Sequence, residues 1–444
     1  MEIFLIKALQ LILSLSILVI VHEFGHFLFA RLFKIRVEKF YLFFDPWFSL
    51  FKFKPKGSDT EYGVGWLPLG GYVKIAGMID ESMDKEQMAQ PEQPWEFRSK
   101  PAWQRLLVMI GGVTFNIILA VFIYSMIVFC WGDRYVYFKD LKHGMTFSQT
   151  AKKAGFQDGD KVISADGRLL KMHLDKTLDM NTYMAFADAK SIDVERNGRK
   201  LTIAIPANFA DSLIASKKIA YQIRTTAVID SVVEGGNAQK SGLTKGDSIV
   251  KVNGVQVNSF NDLRALIVKN TNKDIRIDYY RGDSLKTAQA HIDSTATLGF
   301  FGSTLNPGDL KEDKYSFFGA LPAGINLAKE TLEGYIAQFR FVFTKEGASN
   351  LGGFAAIGNL FPAQWDWQAF WFMTAFLSVI LAVMNILPIP ALDGGHVMFL
   401  LYEVVTRRKP NEKFVEYATM AGMILLILLL LYANGNDIFK AIFK

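Results

Sequence analysis

The chain has 444 residues, 50% of them hydrophobic, and its mean hydropathy is +0.18. These values indicate a membrane protein that also carries water-soluble domains. The formal net charge of +6 is modest for this length. The basic residues form no stripe of the kind that nucleic acid requires, so we expect no nucleic acid partner. The single cysteine, Cys130, excludes an internal disulfide framework.

The first predicted element is a membrane span over residues 3–33, an apolar run longer than the roughly 20 residues that a bilayer requires. No small-residue cleavage site follows, so we expect a retained span and not a cleaved signal peptide. The run contains HEFGH at residues 22–26. On a helix, His22 and His26 lie one turn apart, where both can bind one zinc ion, and the adjacent Glu23 can take a proton from water.

The HExxH pattern alone is weak evidence, because it specifies only three positions and occurs by chance in unrelated chains. Its location inside a predicted span strengthens the prediction. Ionisable residues within a membrane helix are costly and usually functional. No lysine or arginine lies close in sequence to neutralise Glu23. A metal ion in a polar pocket would account for His22, Glu23 and His26 together.

A basic and aromatic stretch follows over residues 34–56, which favours the cytoplasmic side of the membrane. Glu61–Met78 predicts a strand pair that turns at Pro68 or at Gly70–Gly71. Two interpretations stay open: a small soluble hairpin, or a hairpin beside the active site whose edge pairs with an extended substrate. Residues 80–100 are polar and predict a surface loop.

Arg105–Trp131 predicts the second span, which contains Gly111–Gly112 and Asn116. Small residues in a span allow close helix packing, which is the plain interpretation of the glycines. The corresponding interpretation of Asn116 is a hydrogen bond to a neighbouring helix.

Residues 132–299 predict a soluble, β-rich region with an internal repeat. The sequence AKKAGFQDGDKVI, from residue 151, returns as AQKSGLTKGDSIV from residue 238. Asp166–Gly167 returns as Asn253–Gly254 at the same offset. This order of short helix, Gly-Asp turn, strand and hairpin resembles PDZ domains, which bind extended peptides or chain ends at a sheet edge. The alternative is a pair of β-rich spacers without a ligand.

The second membrane half begins with residues 315–345, which predict an amphipathic helix either on the membrane surface or packed on the core. Residues 349–358, rich in Gly and Ala, predict a tight turn or close packing. The third span covers about Ala369–Leu387 and the fourth about Phe414–Tyr432. Three tryptophans near the start of the third span are typical of a membrane interface: Trp365, Trp367 and Trp371.

The third span ends in NILPIPALDGGH, residues 385–396. Its prolines break the helix, and its two glycines allow a close backbone approach. Asp393 lies at membrane depth without a neighbouring cation in the sequence, and a zinc ion shared with HEFGH would account for it. His396 is an alternative third ligand.

The predicted topology is self-consistent. With four spans, the loops after the first and third spans fall on the same side of the membrane. Both loops are basic, so we expect both to be cytoplasmic. The β-rich region and both termini then lie on the opposite side, while HEFGH and Asp393 lie at similar depth.

HEFGH, GGVTFN, a PDZ-like pair and NILPIPALDGGH occur in this order over essentially the whole chain. This combination resembles the site-2 proteases, and in particular the regulator-of-sigma-E protease group. The resemblance implies an intramembrane zinc metalloprotease with one Zn²⁺ per chain. The implied ligands are His22, His26 and Asp393, which favours Asp393 over His396. Glu23 would be the catalytic acid/base.

The resemblance also implies residues that handle the substrate. Asn385 would lie close to the zinc and hold the substrate or the developing oxyanion. The hairpin at Gly70 and Gly71 is similar to a membrane re-entrant β element beside the active site. Related chains often carry Gly-Pro where this chain has Gly352–Gly353.

The implied substrates are single-pass membrane proteins in a lipid bilayer, such as pre-trimmed anti-sigma factors and remnant signal peptides. The PDZ pair would filter substrates by size. The implied location is the bacterial inner membrane, with the PDZ domains periplasmic.

We therefore predict a polytopic α-helical membrane protein with four transmembrane helices and two inserted PDZ-like β-rich domains. The predicted domains are a first membrane half, two PDZ-like domains and a second membrane half: residues 1–131, 132–214, 215–304 and 305–444. Two other functions compete with the protease. An inactive membrane-anchored PDZ scaffold would have no need of Glu23 and a complete ligand set. A transporter would show repeated spans, whereas the repeat lies in the soluble region.

Overall fold

The fold is taken from a computed structural model, which describes residues 2–68, 70–78, 90–173, 180–216, 219–224, 227–302, 310–342 and 352–443. The chain forms two compact units. The membrane unit is built from the segments Met1–Gly132 and Lys314–Lys444, and the β-rich unit from Asp133–Leu174 and Asp179–Asp313. About half of the predicted loop 80–100, namely residues 80–89, lies outside the described residues.

The first segment of the membrane unit holds two long helices and a four-stranded sheet. Its elements are α1 (Glu2–Leu32), β1 (Val37–Leu42), β2 (Phe44–Phe53), β3 (Glu61–Leu67), β4 (Tyr72–Ile75) and α2 (Ala102–Trp131). Both helices are long and apolar enough to cross a membrane, as predicted. Pro101 precedes α2, and Gly132, with a φ of 75°, ends it, because glycine readily adopts the left-handed backbone that terminates a helix.

The strand pair predicted over Glu61–Met78 is wrong in its pairing. The sheet order is β2-β3-β1-β4, so β1 lies between β3 and β4 and pairs with both. Tyr41 of β1 is opposite Gly63 on one side and Tyr72 on the other. Its ring occupies the space that a side chain on Gly63 would need. The basic, aromatic stretch before Glu61 therefore supplies β1, one of the two central strands of the sheet.

The β-rich unit contains two modules that share one order of elements, except that the first has two additional short elements, β9 and α5. After β5 (Asp133–Tyr137), the first module comprises β6 (Met145–Phe147), α3 (Gln149–Lys153), β7 (Lys161–Ala165), β8 (Arg168–Leu169), β9 (Lys171–His173), α4 (Met180–Ala187), β10 (Ser191–Arg196), β11 (Arg199–Ala204), α5 (Phe209–Ser216) and β12 (Tyr221–Ile223). The second comprises β13 (Ile229–Val232), α6 (Asn237–Lys240), β14 (Ser248–Val252), β15 (Val255–Gln256), α7 (Phe260–Lys269), β16 (Asp274–Arg281), β17 (Ser284–His291) and β18 (Phe300–Gly302).

The sheets of the two modules match strand for strand. The orders are β8-β7-β10-β11 and β15-β14-β16-β17, and in each module the last strand pairs with the first, β12 with β6 and β18 with β13. β12 lies after the predicted domain boundary at residue 214 and pairs with β6 of the first module. A further short strand, β19 (Lys311–Asp313), pairs with β5.

The repeat extends to individual side chains. Asp160 and Asp247, the aspartates of the repeated Gly-Asp turns, are both buried. Each receives two hydrogen bonds from one arginine, Asp160 from Arg196 at 2.7 and 2.8 Å and Asp247 from Arg281 at 2.8 and 2.8 Å. A duplicated ion pair at equivalent positions shows that the two sequence repeats fold in the same way.

The second segment of the membrane unit is helical. Its elements are α8 (Phe317–Val342), α9 (Phe354–Gly358), α10 (Trp367–Ile386), α11 (Asp393–Thr406) and α12 (Glu412–Phe443). α10 and the stretch Lys413–Ile442 of α12 are apolar enough to cross a membrane, which makes four such helices among the described residues. The helix continues beyond Tyr432, the predicted end of the last span, through the polar residues that follow.

α8 settles the alternative left open for residues 315–345. Its side chains Ala328, Leu332 and Tyr335 pack in one cluster with residues of α2 and α10, so the helix is packed on the core. Within the predicted turn 349–358, residues 349–351 lie outside the described residues. Gly353 lies against α12, where a Cβ atom would come within 2.4 Å of the Asn434 side chain.

Candidate metal site

Three side chains from the first span and the NILPIPALDGGH segment meet inside the membrane unit: His22, His26 and Asp393. The Nε2 atoms of the two histidines are 3.3 Å apart. The Oδ2 atom of Asp393 lies 3.2 Å from Nε2 of His22 and 3.4 Å from Nε2 of His26. The three donor atoms therefore form a nearly equilateral triangle. Both histidines are buried, which shields the triangle from solvent.

The local sequence explains how each donor reaches this point. His22 and His26 are four residues apart on α1, so both project from one face. Asp393 is the first residue of α11, because the helix before it ends at Ile386 and two prolines occupy the connection. A Cβ atom on Gly394 would lie 2.2 Å from the carbonyl oxygen of Leu387. Glycine thus allows the chain to fold back tightly and bring Asp393 to the histidines.

The donor triangle fits a tetrahedral metal ion. Zinc binds nitrogen and oxygen donors at about 2.0–2.1 Å, and tetrahedral geometry then separates two donors by about 3.3 Å. The three observed separations, 3.2 to 3.4 Å, agree with that value. The buried Oδ2 of Asp393 has no hydrogen-bond partner among the described residues, and a buried oxygen without a partner is costly. A cation at the centre would pair with it.

The described residues next to the triangle include one carboxylate and one carboxamide. Glu23 follows His22 on α1, and its carboxylate lies next to the backbone of Val73 in β4. The Nδ2 atom of Asn385, near the end of α10, lies 3.2 Å from Nε2 of His22. The structure therefore brings Asn385 beside the ligand group and puts β4 next to Glu23.

The comparison with known families gives this geometry its context. The model of "Peptidase family M50" matches residues 10–429. The chain belongs to peptidase family M50. This confirms the family that the sequence resembles, and with it the predicted metalloprotease class.

Curated relatives of this M50 peptidase align over nearly their whole length. "Metalloprotease MmpA" of Caulobacter vibrioides is 27% identical over 98% of this chain and 96% of its own. A "Putative zinc metalloprotease" of Thermotoga maritima is 26% identical over 96% of this chain and 98% of its own. A protein of the same description from Vibrio cholerae is 26% identical over 96% of this chain and 97% of its own.

Gly70 and Gly71 are not part of the donor triangle. They precede β4, and a Cβ atom on Gly71 would lie 2.6 Å from both the carbonyl oxygen of Tyr41 and a methyl group of Val19 on α1. Because Gly71 has no side chain, the start of β4 packs directly on α1. The contact on α1 is at Val19, three residues before His22. Its contribution to the site is the position of β4.

The remaining histidines of the M50 peptidase lie outside the group of potential ligands found among the described residues. His396 follows Asp393 by three residues on α11 and is half-buried. His173 pairs with Asp133 at 2.6 Å, and His291 with Asp274 at 2.7 Å. Each of these two histidines therefore pairs with a carboxylate of the β-rich unit.

Sequence reasoning indicated close packing at Gly111–Gly112 and a bond from Asn116 to a neighbouring helix, but it did not indicate that α2 contacts both histidines. The backbone carbonyl of Val108 accepts a hydrogen bond from Nδ1 of His26 at 2.8 Å. A Cβ atom on Gly112 would lie 2.5 Å from both imidazole rings. Asn116 has its side-chain amide 3.1 Å from Nδ1 of His22. These residues recur every four positions, and that spacing was the available signal that one face of α2 lines a site.

Proposed function

We propose that this M50 peptidase hydrolyses peptide bonds within transmembrane segments of single-pass membrane proteins, using one Zn²⁺ held by His22, His26 and Asp393. The observation that carries the proposal is the triangle of three donor atoms, 3.2 to 3.4 Å apart, inside a helical membrane unit. Two of the relatives above are described as zinc metalloproteases. Two imidazoles and one carboxylate suit zinc and leave one tetrahedral position for water or substrate.

The proposed chemistry is metal-assisted hydrolysis with Glu23 as the proton carrier. Bound zinc supplies Lewis acidity, which acidifies water and polarises a peptide carbonyl. Glu23 takes the proton from the attacking water and delivers it to the leaving amine. The backbone N–H of Val73 lies next to the Glu23 carboxylate and is the group proposed to orient it. The Asn385 amide, next to His22, donates to the substrate carbonyl as negative charge develops on it.

The proposed substrate binds as an extended strand. A transmembrane helix pairs its backbone groups internally, so it must unwind locally before a carbonyl can be attacked. β4 is an edge strand of its sheet and lies beside Glu23. An unwound substrate can add to that free edge through backbone hydrogen bonds. Gly70 and Gly71 support this step by letting the start of β4 pack against α1.

The β-rich unit is proposed to be a pair of PDZ-like domains that act as a size filter. The shared strand order and the duplicated aspartate–arginine pairs support the duplication. The proposed substrates are pre-trimmed anti-sigma factors and remnant signal peptides. The proposed location is the bacterial inner membrane, with the basic loops after the first and third spans cytoplasmic and the PDZ-like pair periplasmic.

The test is cleavage of a tagged single-pass substrate by purified protein, with zinc content measured on every sample. Glu23→Gln should lower the cleavage rate by about 10²–10⁴-fold, the usual contribution of a general acid/base, and keep about one zinc per chain. Glu2→Gln, at the exposed start of the same helix, should cleave normally. A wild type without zinc that behaves like Glu23→Gln would overturn the protease proposal in favour of an inactive scaffold.

A further inference from the structure

A buried carboxamide on α2 contacts a proposed zinc ligand on the side away from the metal. Asn116 is completely buried. Its Nδ2 atom lies 3.1 Å from Nδ1 of His22, while its Oδ1 atom has no hydrogen-bond partner among the described residues. A buried amide oxygen without a partner costs free energy unless another role accounts for it.

Proton counting on His22 decides which end of this amide must face the ring. As placed, NH₂ groups of Asn116 and Asn385 approach the two ring nitrogens of His22. A neutral imidazole has one N–H and one lone pair, so it cannot accept hydrogen bonds at both nitrogens. When the Nε2 lone pair is directed at a metal, the proton is on Nδ1 and requires an acceptor.

The acceptor is available by a half-turn of the Asn116 amide. Such a half-turn exchanges oxygen and nitrogen without moving the heavy-atom positions. It directs the unpaired Oδ1 at the Nδ1 proton of His22. His26 already has an equivalent acceptor, because the carbonyl of Val108 lies 2.8 Å from its Nδ1. With Gly112 between them leaving room for both rings, α2 then orients both histidines at once.

We infer that Asn116 is a positioning residue, whose amide oxygen holds His22 in the tautomer and ring orientation that direct Nε2 at the metal. This inference rests on the proposed ligand set and adds a residue that does not touch the metal itself. Removing such an outer partner typically lowers metal affinity 10–100-fold.

The backbone of Asn116 is held independently of its side chain. Its carbonyl oxygen accepts a hydrogen bond from Oγ of Ser378 on α10 at 2.7 Å. Ser378→Ala therefore disturbs the same turn of α2 without changing the amide that faces His22. It serves as the matched control for a general packing effect.

The experiment measures zinc affinity of the purified full-length protein in detergent, by competition with a chromophoric chelator. Asn116→Leu replaces the acceptor with an apolar group, and Asn116→Ser withdraws the acceptor from His22 because its side chain is shorter. Each should weaken zinc binding about 10–100-fold. Asn116→Asp keeps an acceptor oxygen and should bind within a few-fold of wild type. Ser378→Ala should bind like wild type. Cobalt substitution adds a second readout, because a misdirected His22 changes the absorption spectrum of the bound ion.

The outcomes separate this inference from the proposal on which it rests. If His22→Ala retains full zinc affinity, the ligand set itself is wrong. If His22→Ala loses zinc while Asn116→Leu and Asn116→Ser bind like wild type, only the role of Asn116 is overturned. Equal losses in Asn116→Leu and Asn116→Asp also overturn it, because an acceptor would then make no difference. If Asn116→Leu fails to fold, the comparison of Asn116→Ser with Asn116→Asp carries the test.

Discussion

Gly112 faces His22 so closely that a Cβ atom on the glycine would lie 2.5 Å from Cε1 of the imidazole and 2.5 Å from Nε2 of His26. One turn of α2 therefore forms a wall against both rings. The two helices are equally close on the neighbouring face, where a Cβ atom on Gly25 would lie 2.3 Å from the carbonyl oxygen of Gly111. The glycines set the distance between α1 and α2, and that distance sets the positions of the rings.

Gly112→Ala should weaken zinc binding and cleavage while the protein still inserts and folds. The added methyl group cannot fit without displacing His22 and His26, and a shift of about 1 Å is enough to impair a preorganised site. Zinc affinity and cleavage rate measured side by side test this. Gly435→Ala is the control, because nothing lies within 4 Å of its Cβ position. Wild-type zinc affinity in Gly112→Ala would show that the rings do not need this space.

Asp393→Asn should abolish zinc binding although it preserves the shape of the side chain. The amide lacks the negative charge that makes the carboxylate a metal ligand. The zinc content of purified protein should fall from about one per chain to background, and cleavage should fall with it. Asp366→Asn is the matched control, because Asp366 caps α10 and asparagine caps helices equally well. Full zinc content in Asp393→Asn would point to another third ligand, with His396 the first to test.

The meeting of His22, His26 and Asp393 could be predicted from local signals and the family resemblance. The spacing of His22 and His26 puts them on one helical face. The cost of a carboxylate at membrane depth drew attention to Asp393, and the resemblance favoured it over His396. The contact of Asn116 with His22 depends instead on how α1 and α2 cross. Glycines in a span show that a close contact exists, but they do not say which helix makes it.

The sheet beside the site also shows that contacts between elements are harder to predict from the sequence than the elements themselves. Alternation and turn residues correctly indicated strands within Glu61–Met78. Their predicted pairing was wrong because β1 lies between β3 and β4 in the sheet. β1 pairs with β3 in parallel, and β2 lies between these two strands in the chain. Parallel pairing needs a crossover between the strands and leaves no signature such as a hairpin turn.

Asp247→Ala should destabilise the second β-rich module by about 2–3 kcal/mol, the cost of losing charged hydrogen bonds to a buried group. Asp247 is fully buried and accepts from Arg281 and from the backbone N–H of Thr244. Arg281 is 38% exposed, so its freed charge can reach water, which keeps the cost at this level. Proteolysis of the folded full-length protein should be faster within residues 227–302. Asp283 lies in an exposed turn, so Asp283→Ala should leave the rate of proteolysis within residues 227–302 unchanged.

The same carboxylate makes the second module sensitive to acid. Burial raises the pKa of Asp247, but its hydrogen bonds from Arg281 and Thr244 outweigh burial and hold the pKa below the ordinary value of 3.8. A group with a lowered pKa contributes stability that is present above its unfolded value and is lost as the pH falls through its folded value. Proteolysis of residues 227–302 by an acid-active protease should therefore accelerate below about pH 4. In Asp247→Ala this acceleration should be weaker, and an unchanged acid response would exclude Asp247 as its source.

Asp437→Ala should loosen the segment around Gly353. The Asp437 side chain accepts hydrogen bonds from the backbone N–H groups of Gly353 and Ala356 at 2.9 and 3.0 Å, and Asn434 accepts from Phe354 at 3.2 Å. The last helix thus holds the start of α9 through its side chains. Losing the carboxylate leaves two N–H groups unpaired, at a cost of about 2 kcal/mol.

Hydrogen–deuterium exchange of residues 352–358 in the full-length protein measures this effect directly. Asp437→Ala should raise the exchange rate there by about 30-fold, the factor that corresponds to 2 kcal/mol. Asp437→Asn retains one acceptor oxygen and should produce a smaller increase. Gly353→Ala should produce a comparable increase, because its Cβ atom would lie 2.4 Å from Oδ1 of Asn434 and push α12 away. Protection equal to wild type in both Asp437→Ala and Gly353→Ala would mean that α9 is held by its apolar contacts alone.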